Sequence, residues 1–327
     1  MSELRWHPFL QEWVITATHR QNRTFLPPDE YCPLCPTRPG GVQTEVPAAN
    51  YDIVVFENKF PSLRPTPPEP AVASSELFPV EPAYGHCEVI LYSPNHFSTL
   101  AGESLQQINK LIYVWRDRYL ALGSDPKIKY VFIFENKGEI VGVTLHHPHG
   151  QIYAFPFLPP KIKKEIASEK AHYRKFKRCL MCDCIKREIS DGRRIVADNE
   201  DFLAFIPFFA RYPYELYITS INHRSSLAEL NNQEIFSLAK IMKTVLLKYD
   251  KLFGYSLPYI MVMHQKPTDG KSYPGSHFHI EFYPPMRTAK KAKYLAGCEA
   301  GAGTFINDTL AEEKAAELRR IEVDIGI

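Results

Sequence analysis

The sequence predicts an α+β fold made of two related halves. The same succession of elements occurs twice along the 327 residues: a Cys-x-x-Cys pair, short strands, an amphipathic helix and a closing strand that carries His-x-His. The 27 prolines and 20 phenylalanines fall mostly in connections, which favours long ordered loops between strands over a helical bundle. We divide the chain into an N-terminal half, 1–165, and a C-terminal half, 166–327.

The elements of the first half follow from their hydrophobic patterns. Strands are predicted over residues 51–57, 88–93 and 130–135, and a last strand carries His147, Pro148 and His149. Between the second and third strands, apolar side chains at helical spacing predict an amphipathic helix: Leu105, Ile108, Ile112, Trp115 and Tyr119.

The second half repeats this order. Strands are predicted over residues 202–206, 215–220 and 259–263, and a last strand carries His277, Phe278 and His279. Its helix presents Ile235, Leu238, Met242, Val245 and Tyr249, and begins with Asn231 and Glu234 spaced as a capping pair. A final helix is predicted to open at Thr309, with Glu312 three residues on.

Composition limits the function classes. Lys plus Arg number 39 against 37 Asp plus Glu, a net charge of +2, so we expect neither nucleic-acid nor membrane-surface binding. The N-terminus lacks a secretory signal pattern, and no run approaches the roughly 18 apolar residues of a membrane span. We therefore expect a cytoplasmic protein whose seven cysteines stay reduced.

Two Cys-x-x-Cys pairs, each followed by an Asn-His and a His-x-His sequence, have the spacing of tetrahedral zinc sites. The sequence predicts one zinc held by Cys32, Cys35, His96 and His147, and a second held by Cys179, Cys182, His223 and His277. For the second set, buried inert thiols with surface histidines are the alternative. Cys87, Cys184 and Cys298 have no partners at ligand spacing, so we expect them to be structural.

The run His-Pro-His-Gly-Gln at residues 147–151 combines two functions. Alternation along a strand places His147 and His149 on one face, so one imidazole can bind metal while the other faces a substrate. A neutral imidazole is a competent nucleophile toward phosphorus, and its phosphoramidate can pass the group onward. We expect Gly150 to let a phosphate approach closely and the Gln151 amide to donate to a phosphate oxygen. The predicted nucleophile is His149.

This run and the motif Phe-Glu-Asn-Lys-Gly at residues 134–138 resemble those of the galactose-1-phosphate uridylyltransferases, in the histidine-triad superfamily. The resemblance extends along nearly the whole chain. It implies a duplicated histidine-triad-like fold, with two antiparallel half-barrel sheets and flanking helices, in a homodimer with active sites at the subunit interface. It also implies ping-pong chemistry: His149 takes UMP from UDP-glucose, releases glucose 1-phosphate, and passes the UMP to galactose 1-phosphate.

The resemblance also implies roles for matching positions. Gln151 would steady the uridylyl phosphate, and the structural zinc ligands of the family fall on the first Cys/His set. Arginines in the active-site loop of the family make bidentate phosphate contacts. The remaining matched positions are Arg20 and Arg23 in that loop, Asn58 at the uridine, Asn136 near the phosphates, and Thr144 where the family often has serine.

The chain departs from the family pattern at a second metal site that contains no cysteine. Glu165, His264 and His279 match three of its ligands, but Glu281 replaces a histidine. We expect the second zinc at the cysteine-containing set, because Zn²⁺ prefers two thiolates and two imidazoles and the repeat points there independently. The other four residues remain the alternative ligands.

The predicted sugar-binding segment, 293–307, also departs in part. Lys293 and Glu299 follow the family, whereas the glycine-rich stretch resembles a phosphorylase branch that includes plant ADP-glucose phosphorylase. We expect Gly301, Gly303 and Asn307 to contact a hexose phosphate, and a flexible link before the last helix is the alternative.

Two other functions stay open. A nucleoside-diphosphate-sugar phosphorylase would use the same histidine chemistry with inorganic phosphate as acceptor. A zinc-stapled nucleic-acid-binding module would need a basic face with interleaved aromatic side chains, which the net charge of +2 disfavours. We expect UDP-glucose and galactose 1-phosphate as substrates.

Overall fold

The computed structural model describes residues 2–22 and 31–326. Most of its strands form one antiparallel sheet with helices against it, which confirms the α+β class. Within the described ranges, no helix is long and apolar enough to cross a membrane.

The strands are β1 Ser2–His7, β2 Glu12–Ala17, β3 Val54–Glu57, β4 Val80–Pro82, β5 His86–Leu91, β6 Tyr130–Lys137, β7 His149–Phe155, β8 Ile195–Asp198, β9 Phe202–Phe205, β10 Leu216–Ser220, β11 Tyr259–His264, β12 His279–Tyr283, β13 Met286–Thr288 and β14 Lys291–Ala292. Nine of them form the large sheet, in the order β3-β5-β7-β6-β11-β12-β10-β9-β8. Strands β2, β1 and β4 form a separate three-stranded sheet, and β13 pairs with β14.

The two halves meet at the middle of the large sheet, where β6 pairs antiparallel with β11. Tyr259 lies opposite Lys137, and Val262 lies opposite Phe134. The half-sheets implied by the resemblance are therefore present, and this junction makes them continuous. Strands β7 and β12, which begin at the second histidine of each His-x-His sequence, are separated by β6 and β11.

The helices are α1 Leu105–Gly123, α2 Pro160–Phe176, α3 Leu180–Asp191, α4 Asn232–Leu252 and α5 Ala311–Arg319. The repeat predicted α1 and α4, and α4 begins with the expected capping box between Asn231 and Glu234. The predicted start of the last helix is wrong. Helix α5 begins at Ala311, and the hydroxyl of Thr309 donates to the side chain of Asn307 instead of capping the helix.

The large sheet separates an apolar core from a more polar face. Helices α1 and α4 bury Trp115 and Met242 against core-facing strand residues such as Ile133 and Ile152. On the opposite face, alternate side chains of β7 are only half-buried, beginning with His149. The fold therefore presents His149 on the side of the sheet away from the main core.

Candidate active site and metal clusters

His149 begins β7 and is held in one tautomer by the backbone. Its Nδ1 lies 2.8 Å from the carbonyl oxygen of His147, so Nδ1–H donates and Nε2 keeps its lone pair. Burial lowers the pKa of His149, which keeps the ring neutral near pH 7. A neutral imidazole with an unprotonated Nε2 is the form that can act as a nucleophile.

Two amide side chains are placed beside His149 by the strand register. Phe134 pairs with Gln151, so Asn136, two residues further along β6, lies opposite His149. Gln151 shares the face of His149 because side chains alternate along β7. Thr144 lies in the connection between β6 and β7, half-buried. The arrangement brings two amide groups and a neutral imidazole to one patch.

Arg20 reaches the same face from a 3-10 turn, Thr18–Asn22. Its Nη1 donates to the carbonyl oxygen of Phe60 at 2.7 Å and lies 3.4 Å from the hydroxyl of Tyr153, four residues after His149 on β7. No sequence motif indicated Tyr153. Asn58 directly follows β3, and its Oδ1 accepts a hydrogen bond from the Phe60 amide at 2.9 Å. Arg23 lies outside the described residues.

The absence of a side chain at Gly150 is required by packing on the core side of β7, not on the substrate side. A Cβ at this position would lie 2.3 Å from the hydroxyl oxygen of Tyr92, a fully buried residue of the main core. The expectation that this glycine opens a path for a phosphate is therefore wrong. The glycine is required because Tyr92 packs against the back of β7.

The first Cys/His cluster consists of Cys32, Cys35, His96 and His147, whose ligand atoms all lie within 4.8 Å of one another. The Nε2 of His147 is 2.9 Å from both the carbonyl oxygen of Ser93 and the hydroxyl of Tyr51, which turns Nδ1 toward the sulfur atoms. Burial lowers the pKa of His147 to about 4 and raises that of Cys35 to about 11. A metal ion bound here would favour the thiolate form of the cysteine.

The second cluster repeats this arrangement with Cys179, Cys182, His223 and His277, again with all ligand atoms within 4.8 Å. The Nε2 of His277 donates to the carbonyl oxygen of Ser220 at 2.8 Å, as His147 does to Ser93. Cys179 is the N-cap of α3, so the start of a helix positions this cysteine pair, whereas a loop positions the first pair. Each half therefore offers the same set of metal-binding atoms.

A third group, Glu165, His264 and His279, shares no residue with the second cluster and is also close enough to hold a metal ion. Glu165 Oε2 lies 2.8 Å from His264 Nδ1. Glu281, the fourth residue matched to this set, is buried with Lys161 Nζ 2.5 Å from its Oε2 and Arg211 Nη2 3.6 Å away. Cations of the chain thus already neutralise Glu281.

The segment 293–307 lies with the C-terminal half. Asn307 Nδ2 donates to the carbonyl oxygen of Ala210, in the connection between β9 and β10, at 2.9 Å. Strand β10 is four positions from β7 in the sheet, which corresponds to about 19 Å. Lys293 is buried and donates to Glu299 at 3.0 Å. Gly301 ends a short π-helical turn, and Gly303 has a φ of +69°. The segment therefore packs against the C-terminal half of the sheet.

Family models match nearly the whole chain. The model described as galactose-1-phosphate uridyl transferase, N-terminal domain, matches residues 1–159, and the model of the C-terminal domain matches residues 163–325. The galactose-1-phosphate uridylyltransferase of Thermotoga maritima is 42% identical over 326 residues, which are 99% of this chain and 100% of that protein. The enzyme of the same name from Haemophilus influenzae is 33% identical over 330 residues, 97% of this chain and 93% of that protein.

Comparison with solved structures also finds a uridylyltransferase. A structure described as a uridylyltransferase superposes with a TM-score of 0.86 at 33% identity and covers 97% of each chain. An ADP-glucose phosphorylase from Arabidopsis thaliana, with bound ADP-glucose, gives a TM-score of 0.74 at 23% identity over 99% of this chain and 100% of that one. At that identity the second likeness shows a shared fold alone.

Proposed function

This chain belongs to the galactose-1-phosphate uridylyltransferase family, and from that membership we propose that it exchanges UMP between UDP-glucose and galactose 1-phosphate through a uridylyl-His149 intermediate. The observation that carries the proposal is the hydrogen bond from His149 Nδ1 to the His147 carbonyl oxygen. It leaves Nε2 as the only basic atom of the ring, on a strand that also presents Gln151.

The transfer consists of two displacements at the α-phosphorus. The Nε2 lone pair of His149 forms a bond to this phosphorus, the bond to the bridging oxygen breaks, and glucose 1-phosphate leaves with the electron pair. A phosphate oxygen of galactose 1-phosphate then attacks the same phosphorus, and the nitrogen–phosphorus bond breaks. The proton stays on Nδ1 throughout, so the His147 carbonyl oxygen stabilises the positive charge of the uridylylated ring.

Neighbouring side chains bind the phosphates and the base in this proposal. Gln151 and Asn136 flank His149, and their amide N–H groups donate to the non-bridging oxygens of the transferred phosphate. Arg20 uses guanidinium N–H groups other than those directed at Phe60 to bind the diphosphate. In this proposal the Thr144 hydroxyl and Arg23 also bind the phosphates, and Asn58 binds the uridine.

We propose that the two Cys/His clusters hold zinc. Zinc–sulfur bonds of about 2.3 Å and zinc–nitrogen bonds of about 2.1 Å at tetrahedral angles separate sulfur from nitrogen by about 3.6 Å. The separations are 3.5 and 3.6 Å around Cys35, and 3.4 and 3.7 Å around Cys182. Closed sites with four protein ligands are structural, so the metal at His147 would anchor the chain just before His149.

The second zinc is assigned to the thiolate-containing set, with Glu165, His264, His279 and Glu281 as the alternative ligands. The ion pair of Glu281 with Lys161 supports this choice, because a carboxylate already neutralised by an ammonium group is a weaker metal ligand. Thiolates that must stay reduced to bind metal also support a cytoplasmic location.

A second copy of the chain completes each site in this proposal. In this proposal a partner supplies Lys293, Glu299, Gly301, Gly303 and Asn307 to the hexose phosphate. The connection that Asn307 contacts leads into β10, a strand four positions from β7, which corresponds to about 19 Å between the two strands. Phe208 and Phe209, in the connection that Asn307 contacts, are exposed and offer apolar surface for a homodimer. Each subunit would then contribute its N-terminal half, 1–165, to one site and its C-terminal half, 166–327, to the other.

The function is tested by incubating the protein with UDP-glucose and either galactose 1-phosphate or inorganic phosphate, and measuring the nucleotide product. We expect UDP-galactose from the first acceptor and little UDP from the second. His149→Asn abolishes transfer, whereas His146→Asn, at an exposed position three residues earlier, retains it. Transfer to inorganic phosphate alone would replace the proposal by a phosphorylase, and full activity of His149→Asn would overturn the mechanism.

A further inference from the structure

A buried carboxyl group lies directly behind the strand that carries His149. Glu135 is on β6, faces the core and is 4% exposed. Its neighbour Phe134 pairs with Gln151, so Glu135 stands beside Gly150. Two hydroxyl groups hold the carboxylate: Tyr92 donates to Oε2 at 3.2 Å, and Tyr259 donates to Oε1 at 3.2 Å.

Tyr92 connects this carboxyl group to β7. Its hydroxyl oxygen lies 2.3 Å from the point that a Cβ of Gly150 would occupy, and its backbone amide donates to the carbonyl oxygen of Pro148 at 3.4 Å. The same side chain thus binds Glu135 and packs against the residue that follows His149. A displacement of Tyr92 would displace the backbone on both sides of His149.

The second half of the chain shows that the fold does not need this carboxyl group. In the second half, His264 pairs with His279, and this pair corresponds to Asn136 and His149 in the first half. Met263 and Ile280 therefore occupy the places of Glu135 and Gly150. Both are fully buried and apolar. Burying a carboxyl group costs free energy that an apolar pair avoids. Its presence only in the half that carries the nucleophile indicates a role in the reaction.

We infer that Glu135 is a positioning residue, which through Tyr92 fixes β7 at Gly150 and thereby sets the rate at which His149 reacts. This inference rests on the proposed function. It requires the ionised form, because a carboxylate accepts from both hydroxyl groups, whereas a carboxylic acid must donate one hydrogen bond itself. The charged groups that act on Glu135 are Lys137 on β6 and Asp250 on α4, which pair with each other at 2.9 Å.

The arrangement predicts a specific pH dependence. Burial raises the pKa of Glu135 to about 7, against the opposing effects of Lys137 and the two hydroxyl groups. The active, ionised form is present above this value, so kcat should fall as the pH falls through about 7. Removing the Tyr259 hydroxyl takes away one hydrogen bond to the carboxylate, which raises the pKa further and moves the fall in kcat to higher pH.

The test measures kcat and KM against pH for the wild-type protein, Glu135→Gln, Tyr259→Phe and a control, Tyr249→Phe. Tyr249 is equally buried, and its hydroxyl donates to the carbonyl oxygen of Tyr214 at 2.8 Å, so the control loses a buried hydroxyl that does not contact Glu135. For Glu135→Gln we expect kcat to fall on the order of 10- to 100-fold, as a small misplacement of a nucleophile does. KM should stay within about twofold, and the fall near pH 7 should disappear.

Tyr259→Phe should keep the fall in kcat but move it upward by about one pH unit, and Tyr249→Phe should leave it in place. The inference is overturned if Glu135→Gln keeps the wild-type kcat and pH profile, or if it loses activity only in proportion to unfolding. Should Glu135→Gln fail to fold, an unshifted profile of Tyr259→Phe overturns it as well. A wild-type protein that transfers no uridylyl group would instead refute the proposed function.

Discussion

Adding one methyl group at Gly150 tests how tightly the nucleophile strand is packed. The new Cβ would lie 2.3 Å from the Tyr92 hydroxyl oxygen, whereas ordinary contact begins at 3.4 Å, so the hydroxyl must move by 3.4 − 2.3 = 1.1 Å. Such a move breaks its buried hydrogen bond to Glu135. Overpacking costs about 1–3 kcal/mol, and an unsatisfied buried polar group costs about 1–3 kcal/mol more. We expect Gly150→Ala to lower the free energy of unfolding by about 2–6 kcal/mol.

The Tyr92→Phe variant shows how much of the destabilisation by Gly150→Ala comes from the clash with the Tyr92 hydroxyl. Without the hydroxyl, the nearest atom to the new Cβ is Cζ of the ring, at 3.2 Å, which requires a shift of only a few tenths of an ångström. The double variant should therefore be more stable than the sum of the single effects predicts, with a coupling of about 1–3 kcal/mol. Urea denaturation of the four proteins measures this coupling if the m values agree.

Gly297→Ala is the matched control, because a Cβ there meets nothing within 4 Å. It should change the free energy of unfolding by less than about 1 kcal/mol. A Gly150→Ala protein as stable as the wild type, or single effects that simply add, would refute the packing argument.

Three further predictions concern stability and metal content. Arg194→Met should lower the free energy of unfolding by about 3–5 kcal/mol in urea denaturation, because it leaves the buried carboxylate of Glu188, 2.7 Å away, without its partner. Asn231→Ala should lower it by about 1 kcal/mol through loss of the α4 cap, and an unchanged midpoint would contradict the capping box. Cys179→Ser should reduce bound zinc from about two to about one per chain by elemental analysis, whereas Cys184→Ser should retain both; equal zinc in the two variants would contradict the assignment.

Periodicity predicted the repeated scaffold because its strands and helices are long and strongly patterned. Helices α2 and α3 were not predicted. Only Ile162 and Ile166 of α2 are buried, so this mostly polar helix carries a weak periodic signal. The strand expected at residues 147–149 begins only at His149, since Pro148 has no N–H to donate to a neighbouring strand.

The site was predictable where its residues are close in sequence or repeated, as in the two Cys/His sets and the 147–151 run. The contacts that control these residues come from distant positions without a motif. Tyr51 lies 96 residues from His147, and Tyr153 lies 133 residues from Arg20. Gly150 shows the limit most clearly: the sequence indicated that a side chain is excluded there, but only the position of Tyr92 shows which face excludes it.

In the proposed mechanism, His149 carries the transferred nucleotide covalently. The most direct measurement incubates the protein with UDP-glucose labelled at the α-phosphate, without an acceptor, and quenches in base, where a phosphoramidate survives. We expect the label to be retained on the peptide that contains His149, to be released by galactose 1-phosphate, and to be absent from His149→Asn. Label that never stays on the protein, or that stays unchanged on His149→Asn, would contradict it.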